Sequence, residues 1–441
     1  MCNRASRTMG WAAAVFIAAA SAPSAPAADP RQHVPLLVYR TGPYAPNGVP
    51  LANGQADYFN MLNARDGGLG GIELVVEECD TAYQIDKGVA CYERLKDRGP
   101  SGASAFAPFS TGITDALIER ATADEIPLFT MGYGRSDAAD GRVFPYVFTM
   151  PSTSGSQATS IIRYIREQAG GELAGKDIAL VYHDSAYGTE PIPTLEILAD
   201  ELGFELHRFP VAHPGLEQKA TWLNVGRRLR PDWVVMWGWG VMNSTAIKEA
   251  AAVGYPMDRL IGNHWAGAEV DVEPAGDAAE GYLAANFHAP GADFAAHQDI
   301  LTHLYDADAG AGDRERVGQV LYNRGVANAM ITAEAIRVAQ EIHGVKPLTG
   351  AEVRDGFENL ELSAERLAEL GLEGFMNPIE VSCADHEGGG AVFIQQWDGA
   401  DWQRVSDWIA PKTEVVRPLI ERSAAAYARD NGITPRACGE G

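Results

Sequence analysis

Seven aromatic residues stand in loops where a ligand could be held by stacking. Each follows or adjoins a predicted strand: Tyr44, Phe109, Tyr133, Tyr187, Trp237, Trp239 and Trp265. Aromatic rings supply a large apolar contact area, and Tyr and Trp add a polar group. The alternative is that each ring caps the end of a sheet, which explains one residue more easily than all seven. The chemistry that this set predicts is binding of a small, partly apolar molecule.

Polar residues in the same loops could fix the orientation of such a molecule. Beside the Tyr187 hydroxyl, the candidate contacts are Ser110, Thr111, Gly132, Asn263 and His264. A protonated His264 could face a carboxylate, or it could be a histidine whose hydrogen bonds are satisfied within its loop. Arg135 and Arg324 are also candidate partners of a carboxylate, although we expect both to be exposed to solvent.

The motifs that would indicate catalysis are missing from the sequence. It has no G-x-x-x-x-G-K-[ST] phosphate loop, no H-E-x-x-H metal site and no G-x-S-x-G nucleophile elbow. Residues 67–71 are rich in glycine but precede a predicted strand, whereas a dinucleotide-binding loop follows one. Residues 306–313 resemble half of a calcium loop, but Val317 stands where the bidentate Glu belongs. We therefore expect a binding protein, not an enzyme, with no cofactor and no metal.

The charge balance excludes two kinds of partner. The 441 residues include 35 Lys+Arg and 59 Asp+Glu, for a net charge of −24. Nucleic acids and anionic membranes both attract basic surfaces, so we expect neither as a partner. The hydrophobic share of 46% and charged share of 21% are typical of globular proteins, and the length predicts two or three domains.

Residues 1–28 have the pattern of a secretory signal peptide. Two arginines precede an uncharged run over residues 11–20, and small residues follow, which predicts cleavage near Ala27 or Ala28. A membrane anchor is the alternative, but this run is too short to span a bilayer. Cys2 precedes the run, so we expect no lipid anchor. The pattern predicts a mature protein in the periplasm.

Export changes how the cysteines are interpreted. Cys79, Cys91, Cys383 and Cys438 remain after the signal peptide is removed. An even number in an oxidising compartment indicates two disulfides, for which three pairings exist. We expect Cys79–Cys91, which are close in sequence, and Cys383–Cys438, which would tie the C-terminal tail to the body. A zinc site is the alternative, but the sequence has no CxxC pair and no nearby His pair.

Short apolar runs alternate with helical patterns, which predicts parallel sheets with crossover helices. Strands are predicted at residues 35–39, 72–77, 104–106, 127–131, 177–182, 233–237, 259–261, 392–396 and at Val405. Helices are predicted at residues 51–64, 85–96, 114–123, 154–168, 195–202, 244–253 and 317–342. The pattern restarts after Pro151, so we expect two α/β units. Ligands of such folds bind at the carboxyl ends of the strands.

A series of short motifs occurs in a set order between about residues 34 and 410. They are Thr41-Gly42-Pro43, Asn63–Gly68, Ser110-Thr111, Ile126-Pro127, Phe148–Ser152, Tyr187-Gly188, Ala251–Gly254, Ala279-Glu280-Gly281 and Asp385-His386. In this order and spacing, the chain resembles a periplasmic solute-binding protein of the branched-chain amino acid type, in the type I periplasmic binding protein family.

This resemblance implies a two-lobed α/β fold, each lobe a parallel-type sheet flanked by helices, with three hinge crossovers. It implies lobe 1 at residues 29–150 plus about 286–378, lobe 2 at 151–285 plus about 379–410, and a C-terminal tail at 411–441. It also implies that the lobes close around a small molecule and deliver it to an ABC permease in the inner membrane, without altering it. We expect a monomer.

The residues that would hold an amino acid differ from the family's pattern. Family members bind the α-carboxylate with hydroxyl residues where this chain has Pro108 and Gly134, and the ammonium with an acid where it has His264. A buried ammonium without a counter-charge costs several kcal/mol. Trp239 stands where the family has a cleft Tyr. We therefore expect an aromatic or hydrophobic acid, alcohol or amide; the alternatives are a hydrophobic amino acid, or a ligand-sensing role in signalling.

Overall fold

The structure, a computed structural model, describes residues 1–2 and 30–438. The predicted signal peptide at 1–28 lies outside the described residues, apart from its first two. Within the described part of the chain, no helix is long and apolar enough to cross a bilayer.

Strands and helices alternate through most of the described chain. The strands are β1 Arg31–Val38, β2 Glu73–Asp80, β3 Leu128–Phe129, β4 Val147–Phe148, β5 Asp177–His183, β6 Glu205–Val211, β7 Trp233–Trp237, β8 Leu260–Gly262, β9 Leu283–Asn286, β10 Glu361–Leu362, β11 Ile379–Glu380, β12 Phe393–Trp397 and β13 Trp402–Arg404. The α-helices are α1 Ala45–Asp66, α2 Ile85–Leu95, α3 Thr111–Ala123, α4 Ser154–Gln168, α5 Ala186–Thr189, α6 Ile192–Leu202, α7 Lys219–Leu223, α8 Val241–Ala252, α9 Glu269–Val272, α10 Ala295–Ile300, α11 Val320–His343, α12 Gly350–Glu358, α13 Ala364–Glu369 and α14 Thr413–Asp430.

The first strands form a parallel arrangement. β1 pairs with β2, and β3 with β4, each pair in parallel. Single parallel bridges, from His33 to Ala103 and from Phe106 to Leu128, connect the two pairs. The strand predicted at 104–106 is therefore present only as these bridges, because the chain there makes no continuous ladder.

A seven-stranded sheet occupies the other half of the fold, in the order β13-β12-β9-β8-β7-β5-β6. The strands from β5 to β9 are parallel, while β12 and β13 run antiparallel. The strand predicted at 233–237 matches β7, whose five residues are all buried, as in parallel sheets covered on both faces. Val405 lies just after β13, so its predicted strand is misplaced. β6 was not predicted because three of its seven residues are charged or polar and interrupt the apolar run.

The helices α1 and α11 pack on each other across two glycines. A Cβ at Gly54 would overlap the carbonyl oxygen of Tyr322, and a Cβ at Gly325 would overlap that of Leu51. Glycine at both positions lets the backbones approach closely. This contact joins the early chain to a helix more than 250 residues later, so the first strands belong structurally with α11.

Both predicted disulfides are confirmed. Cys79 at the end of β2 is bonded to Cys91 in α2, with Cα atoms 5.7 Å apart. Cys383 is bonded to Cys438, with Cα atoms 5.6 Å apart. The segment expected as a tail contains α14, which buries Val416 and other apolar residues against the body. The C-terminal part is therefore a packed helix secured by a disulfide.

Candidate ligand-binding cavity

A small cavity lies where the two strand systems meet, with an enclosed volume of about 20 Å³. Its lining consists of Tyr83, Phe109, Ser110, Thr111, Tyr133, Tyr187, Trp239 and Trp265. These residues lie in the loops after β2, β3, β7 and β8, in α5 after β5, and at the start of α3. The cavity therefore stands at the carboxyl ends of parallel strands, the common ligand position in α/β folds.

Seven of the twelve residues predicted as ligand contacts line this cavity. They are Phe109, Ser110, Thr111, Tyr133, Tyr187, Trp239 and Trp265. Their loops are far apart in sequence, and the parallel topology brings them together. The five others, Tyr44, Gly132, Trp237, Asn263 and His264, lie beside or behind the lining.

Two of these five support the cavity from outside, and a third, Trp237, belongs to the core. The ring of Tyr44 packs on that of Tyr83, with centroids 4.3 Å apart. Asn263 Nδ2 donates to the Tyr187 hydroxyl at 2.5 Å, and that hydroxyl donates to the Gly238 carbonyl at 3.1 Å. Trp237 is fully buried at the end of β7, where core packing accounts for it.

His264 lies behind the lining and stays neutral. Its Nε2 is 3.2 Å from the Met131 carbonyl oxygen, and its backbone N–H donates to Gln157 Oε1 at 3.2 Å. Burial and then the charge of Arg324 hold the pKa of His264 well below its usual range. A Cβ at Gly132 would come within 2.6 Å of the imidazole. Of the two alternatives for His264, a protonated imidazole facing a ligand carboxylate is therefore inconsistent with this arrangement.

The aromatic lining is built from edge-to-face contacts. The rings of Trp239 and Trp265 have centroids 5.1 Å apart and an interplanar angle of 84°. Trp265 also meets the edges of Phe109 at 6.1 Å and of Tyr133 at 5.9 Å. Such contacts stabilise each ring pair by about 0.5–1.5 kcal/mol and fix the ring orientations before a ligand arrives.

The start of α3 is held in an unusual backbone conformation. Phe109 has a φ of +47°, and its N–H donates to the Tyr133 hydroxyl at 2.6 Å. Ser110 caps α3, and the Thr111 hydroxyl accepts from the Gly134 N–H at 3.1 Å. A positive φ is uncommon for a bulky residue and often occurs where the backbone serves a binding site.

No charged side chain lines the cavity among the described residues. Burial raises the pKa values of Tyr83, Tyr133 and Tyr187, so these hydroxyls stay neutral at pH 7. The indole Nε1 atoms of Trp239 and Trp265 are buried and have no hydrogen-bond partner within residues 30–438. The lining thus offers neutral donors and no counter-charge for a cation.

Arg324 is the nearest notable charge, and its predicted exposure is wrong. It is completely buried on α11, with its guanidinium carbon 4.7 Å from the Trp265 ring and 4.2 Å from the Phe287 ring. Its nitrogens donate to His288 Nε2, the His264 carbonyl and Asn286 Oδ1. Sequence reasoning missed this because α11 is buried on nearly every side.

The charge of Arg324 has no acidic partner among the described residues. Burial lowers its pKa to about 9, which still leaves it protonated at pH 7. Three hydrogen bonds and two aromatic faces stabilise the cation in place of a carboxylate. The ring of Trp265 lies between this cation and the cavity, because it contacts the guanidinium on one side and lines the cavity on the other. The positive charge of Arg324 therefore raises the electrostatic potential inside the cavity.

Tyr83 is a lining residue that the sequence analysis missed. β2 was predicted to end at residue 77, whereas it ends at Asp80, and Tyr83 follows three residues later. Recognising the longer strand would have placed Tyr83 in a loop at a strand's carboxyl end, with the other aromatic residues. Its φ of +60° marks a tight turn.

One group of potential metal ligands lies far from the cavity, at the opposite ends of β5 and β6. Asp177, Glu205 and His207 offer donor atoms within 4.8 Å of one another. All three are partly or fully exposed, and His207 already pairs with Asp177 at 2.7 Å. Exposed groups of this kind occur widely without a metal, so this cluster is a surface ion pair.

Residues 31–401 match the periplasmic binding protein family. A crystal structure described as an ABC transporter permease from the Pseudomonas fluorescens group is 44% identical, with a TM-score of 0.88, covering 93% of this chain and 100% of that one. The chain therefore belongs to the periplasmic binding protein family, and the predicted α/β fold is confirmed. A search of curated proteins finds no match.

More distant structures share the fold. A Thermus thermophilus branched-chain amino acid ABC transporter structure with bound valine is 22% identical, with a TM-score of 0.74 and coverage of 88% and 99%. An R. palustris solute-binding protein in complex with benzoate is 20% identical, with a TM-score of 0.67 and coverage of 86% and 97%. These two structures show the shared fold, while the family match and the 44% identical ABC transporter structure identify the chain as a substrate-binding protein of an ABC transporter, in an extracytoplasmic family.

Proposed function

We propose that this protein captures a small aromatic or hydrophobic molecule, and not a zwitterionic amino acid, for delivery to its ABC permease. The ligand would lie in the cavity between two lobes, with residues 29–150 plus about 286–378 in one and 151–285 plus about 379–410 in the other. The separate strand systems, and the packing of α11 on α1, support this division.

The observation that carries the proposal is the aromatic lining without a charged side chain. Six of its eight residues are aromatic, and the other two are Ser110 and Thr111. An α-ammonium group there would lose its hydration without gaining a carboxylate, which costs several kcal/mol. The buried charge of Arg324 behind Trp265 would repel it further. Both effects favour a neutral or anionic ligand.

The size of the cavity favours a small ligand. The space enclosed by the lining is about 20 Å³, far below the roughly 300–1,000 Å³ of common ligand pockets. Even a single aromatic ring therefore needs the lobes to open, and a long acyl chain would need them to open much further. Benzoate, which the R. palustris protein binds, has a single ring and is a suitable first probe.

The polar contacts of the lining suit an oxygen acceptor on the ligand. The indole N–H groups of Trp239 and Trp265 lack partners among the described residues. A carboxylate or amide oxygen of a ligand could accept from them. A buried donor without a partner costs about 1–3 kcal/mol, so filling these positions would add to affinity.

The first experiment identifies the molecule that the protein carries from the cell. The purified mature protein is unfolded, and the released small molecules are identified by mass spectrometry. An aromatic or apolar acid, or a neutral compound, is the expected result. Valine, leucine or isoleucine would show instead that the cavity accepts zwitterions, as the alternative of amino acid uptake requires.

A substitution tests the stacking directly. Trp239→Ala should weaken ligand binding by about 2 kcal/mol, or roughly thirtyfold, because it removes an aromatic wall. The matched control is Trp408→Ala, which removes an indole that packs on Phe393 outside the cavity. Equal affinities of the Trp239 variant and the wild type, measured by calorimetry, would rule out stacking by this residue.

The partner and the compartment follow from the family, and their details are part of the proposal. We expect a periplasmic monomer, cleaved near Ala27 or Ala28, that docks on an inner-membrane permease. Crosslinking in intact cells should capture the permease in a ligand-dependent manner. Capture of a sensor kinase instead would favour the ligand-sensing alternative, and conversion of the ligand into a product would favour an enzyme.

A further inference from the structure

Three polar atoms converge on one point beside the cavity. The Tyr44 hydroxyl oxygen lies 2.5 Å from His213 Nδ1 and 3.2 Å from His183 Nε2. The two histidine nitrogens lie 3.2 Å from each other. These three atoms form a compact triangle in which every corner is a potential metal donor.

The three residues come from separate segments. Tyr44 precedes α1, His183 ends β5, and His213 follows β6. Tyr44 and His183 are buried, whereas His213 is exposed. The triangle is therefore fixed on its inner side and open to solvent at one corner, which gives an ion a path of entry and room for water.

His183 is oriented from behind. Its Nδ1 lies 2.7 Å from the Ser185 hydroxyl, which leaves Nε2 directed at the other two donors. Metal-binding histidines usually hold their second ring nitrogen in such a contact, because it fixes the ring and the tautomer. The ring of His213 is held by stacking, with an interplanar angle of 4° to Tyr44.

We propose that Tyr44, His183 and His213 form a site for a divalent transition-metal ion such as Zn²⁺ or Cu²⁺. Donors about 2.0–2.1 Å from a tetrahedral ion lie about 3.3 Å from one another. Two of the three distances, both 3.2 Å, already match this spacing. The Tyr44–His213 distance has to widen, which the exposed His213 can do.

The ion class follows from the donors. Imidazole nitrogens with an oxygen donor suit zinc, copper and nickel, whereas calcium and magnesium require mainly oxygen ligands. The site is distinct from the cysteines, for which no zinc is expected. It is also tighter and more buried than the surface cluster of Asp177, Glu205 and His207.

The position gives the ion a mechanical role. Tyr44 belongs with β1, while both histidines belong to the seven-stranded sheet, so the ion would join the two strand systems. Tyr44 also packs on Tyr83, which lines the ligand cavity. A bound ion should therefore favour the closed arrangement and slow ligand release.

The test uses Zn²⁺ and Cu²⁺ as probes on the full mature protein after treatment with a chelator. Equilibrium dialysis with elemental analysis should give one ion per chain. His213→Ala should weaken binding by about 100-fold or more, since it removes a ligand from an exposed position with little effect on folding. His183→Ala should do the same, and circular dichroism confirms that each variant is folded.

The control is His207→Ala, which removes the histidine of the surface cluster. It should leave the affinity unchanged. Loss of binding in this variant, with binding retained in His213→Ala, would overturn the proposal. So would the absence of binding to the wild type at about 100 micromolar ion, which corresponds to a binding free energy weaker than about 5.5 kcal/mol.

Tyr44→Phe provides a readout that a structural role would not change. Coordination of a phenolate to Cu²⁺ produces a charge-transfer absorption band in the visible range. We expect this band in the wild type and its loss in Tyr44→Phe, although copper still binds through the histidines. A wild-type copper complex without the band would exclude Tyr44 as a ligand. The metal test does not depend on the identity of the carried ligand.

Discussion

Two buried ionisable groups, Arg324 and Glu387, each lack a partner of opposite charge among the described residues, and they differ in their charge at pH 7. Arg324 lies behind the cavity wall formed by Trp239 and Trp265. Glu387 lies in the crossover region, here residues 149–153 together with 386–390, where it accepts from the Thr153 N–H at 2.6 Å. Burial raises the pKa of Glu387 to about 7, with Asp385 adding to the effect.

The difference follows from how readily each group gives up its charge. A carboxyl group with a pKa near 7 becomes neutral by binding a proton. Arg324, with a pKa of about 9, keeps its charge at pH 7. In the crossover region, therefore, the buried carboxyl group of Glu387 contributes a hydrogen bond between distant segments. Behind the cavity wall, the buried guanidinium of Arg324 contributes a positive charge that remains at pH 7. Changes in the crossover region should alter stability, and changes at the cavity wall should alter binding.

The largest expected effect is on stability near the crossover region. Replacing Cys383 and Cys438 with Ser removes a disulfide that closes a loop of 55 residues. Loss of this closure should lower the free energy of unfolding by about 4 kcal/mol. Urea unfolding measures it, and ligand affinity should stay unchanged.

The matched control for that prediction is the double replacement of Cys79 and Cys91, which spans 12 residues. The shorter loop predicts a smaller loss, about 3 kcal/mol. If the Cys383 and Cys438 variant instead lost affinity while keeping its stability, the separation between the two regions would be refuted.

At the cavity wall, Arg324→Met should reduce the preference for an anion. Two unit charges roughly 10 Å apart attract by about 1.7 kcal/mol at an effective dielectric near 20, which corresponds to about 17-fold in affinity. Competition with benzoate should show this loss, while benzamide, the neutral analogue, should change little.

The control for Arg324 is Arg259→Met, which removes a guanidinium lying 4.8 Å from the Trp233 ring. It preserves the cavity, so neither ligand should change in affinity. An equal loss for benzoate and benzamide in Arg324→Met would mean that Arg324 acts through packing and not through its charge.

In the crossover region, Glu387→Gln should flatten the dependence of stability on pH. Because the folded pKa of Glu387 is raised to about 7, the folded state binds a proton that the unfolded state has lost above its usual pKa. Stability therefore falls as pH rises between about 4.5 and 7, by about 1.4 kcal/mol per pH unit for one proton. Gln keeps the acceptor for Thr153 and abolishes this contribution.

Urea unfolding at pH 5, 6, 7 and 8 measures the slope for Glu387→Gln, and an exposed Glu373→Gln is the control. Burial raises the pKa values of Glu190, Glu269 and Asp271 to about 7 as well, so part of the slope should remain. An unchanged slope would mean that Glu387 is ionised in the folded protein.

The smallest expected effect is at His264, on the cavity side. His264→Gln should change ligand affinity by less than about threefold, because His264 lies behind Gly132 and outside the lining. Calorimetry measures this change. A loss of affinity of tenfold or more would indicate that His264 contacts the ligand directly, which would contradict its position behind the cavity lining.

Much of the fold could be predicted from local patterns. The five apolar residues 233–237 predicted β7 with its observed bounds, and the helix at 154–168 matches α4. The ends of the helices and strands were predicted less well. Helix α1 begins at Ala45 and not at residue 51, and two prolines lie in its first turns. The continuous strand predicted at 104–106 is wrong, because a short apolar run does not show whether its backbone forms a ladder with a neighbouring strand.

The sequence by itself determined which residues are aromatic at strand ends and which cysteines remain to pair. Five aromatic residues of the cavity and both disulfides followed from that local information. Only the tertiary structure decided that Arg324 is buried without an acid, and that Tyr44 meets His183 and His213. These contacts join segments up to 169 residues apart, and no local pattern records how distant backbone segments approach one another.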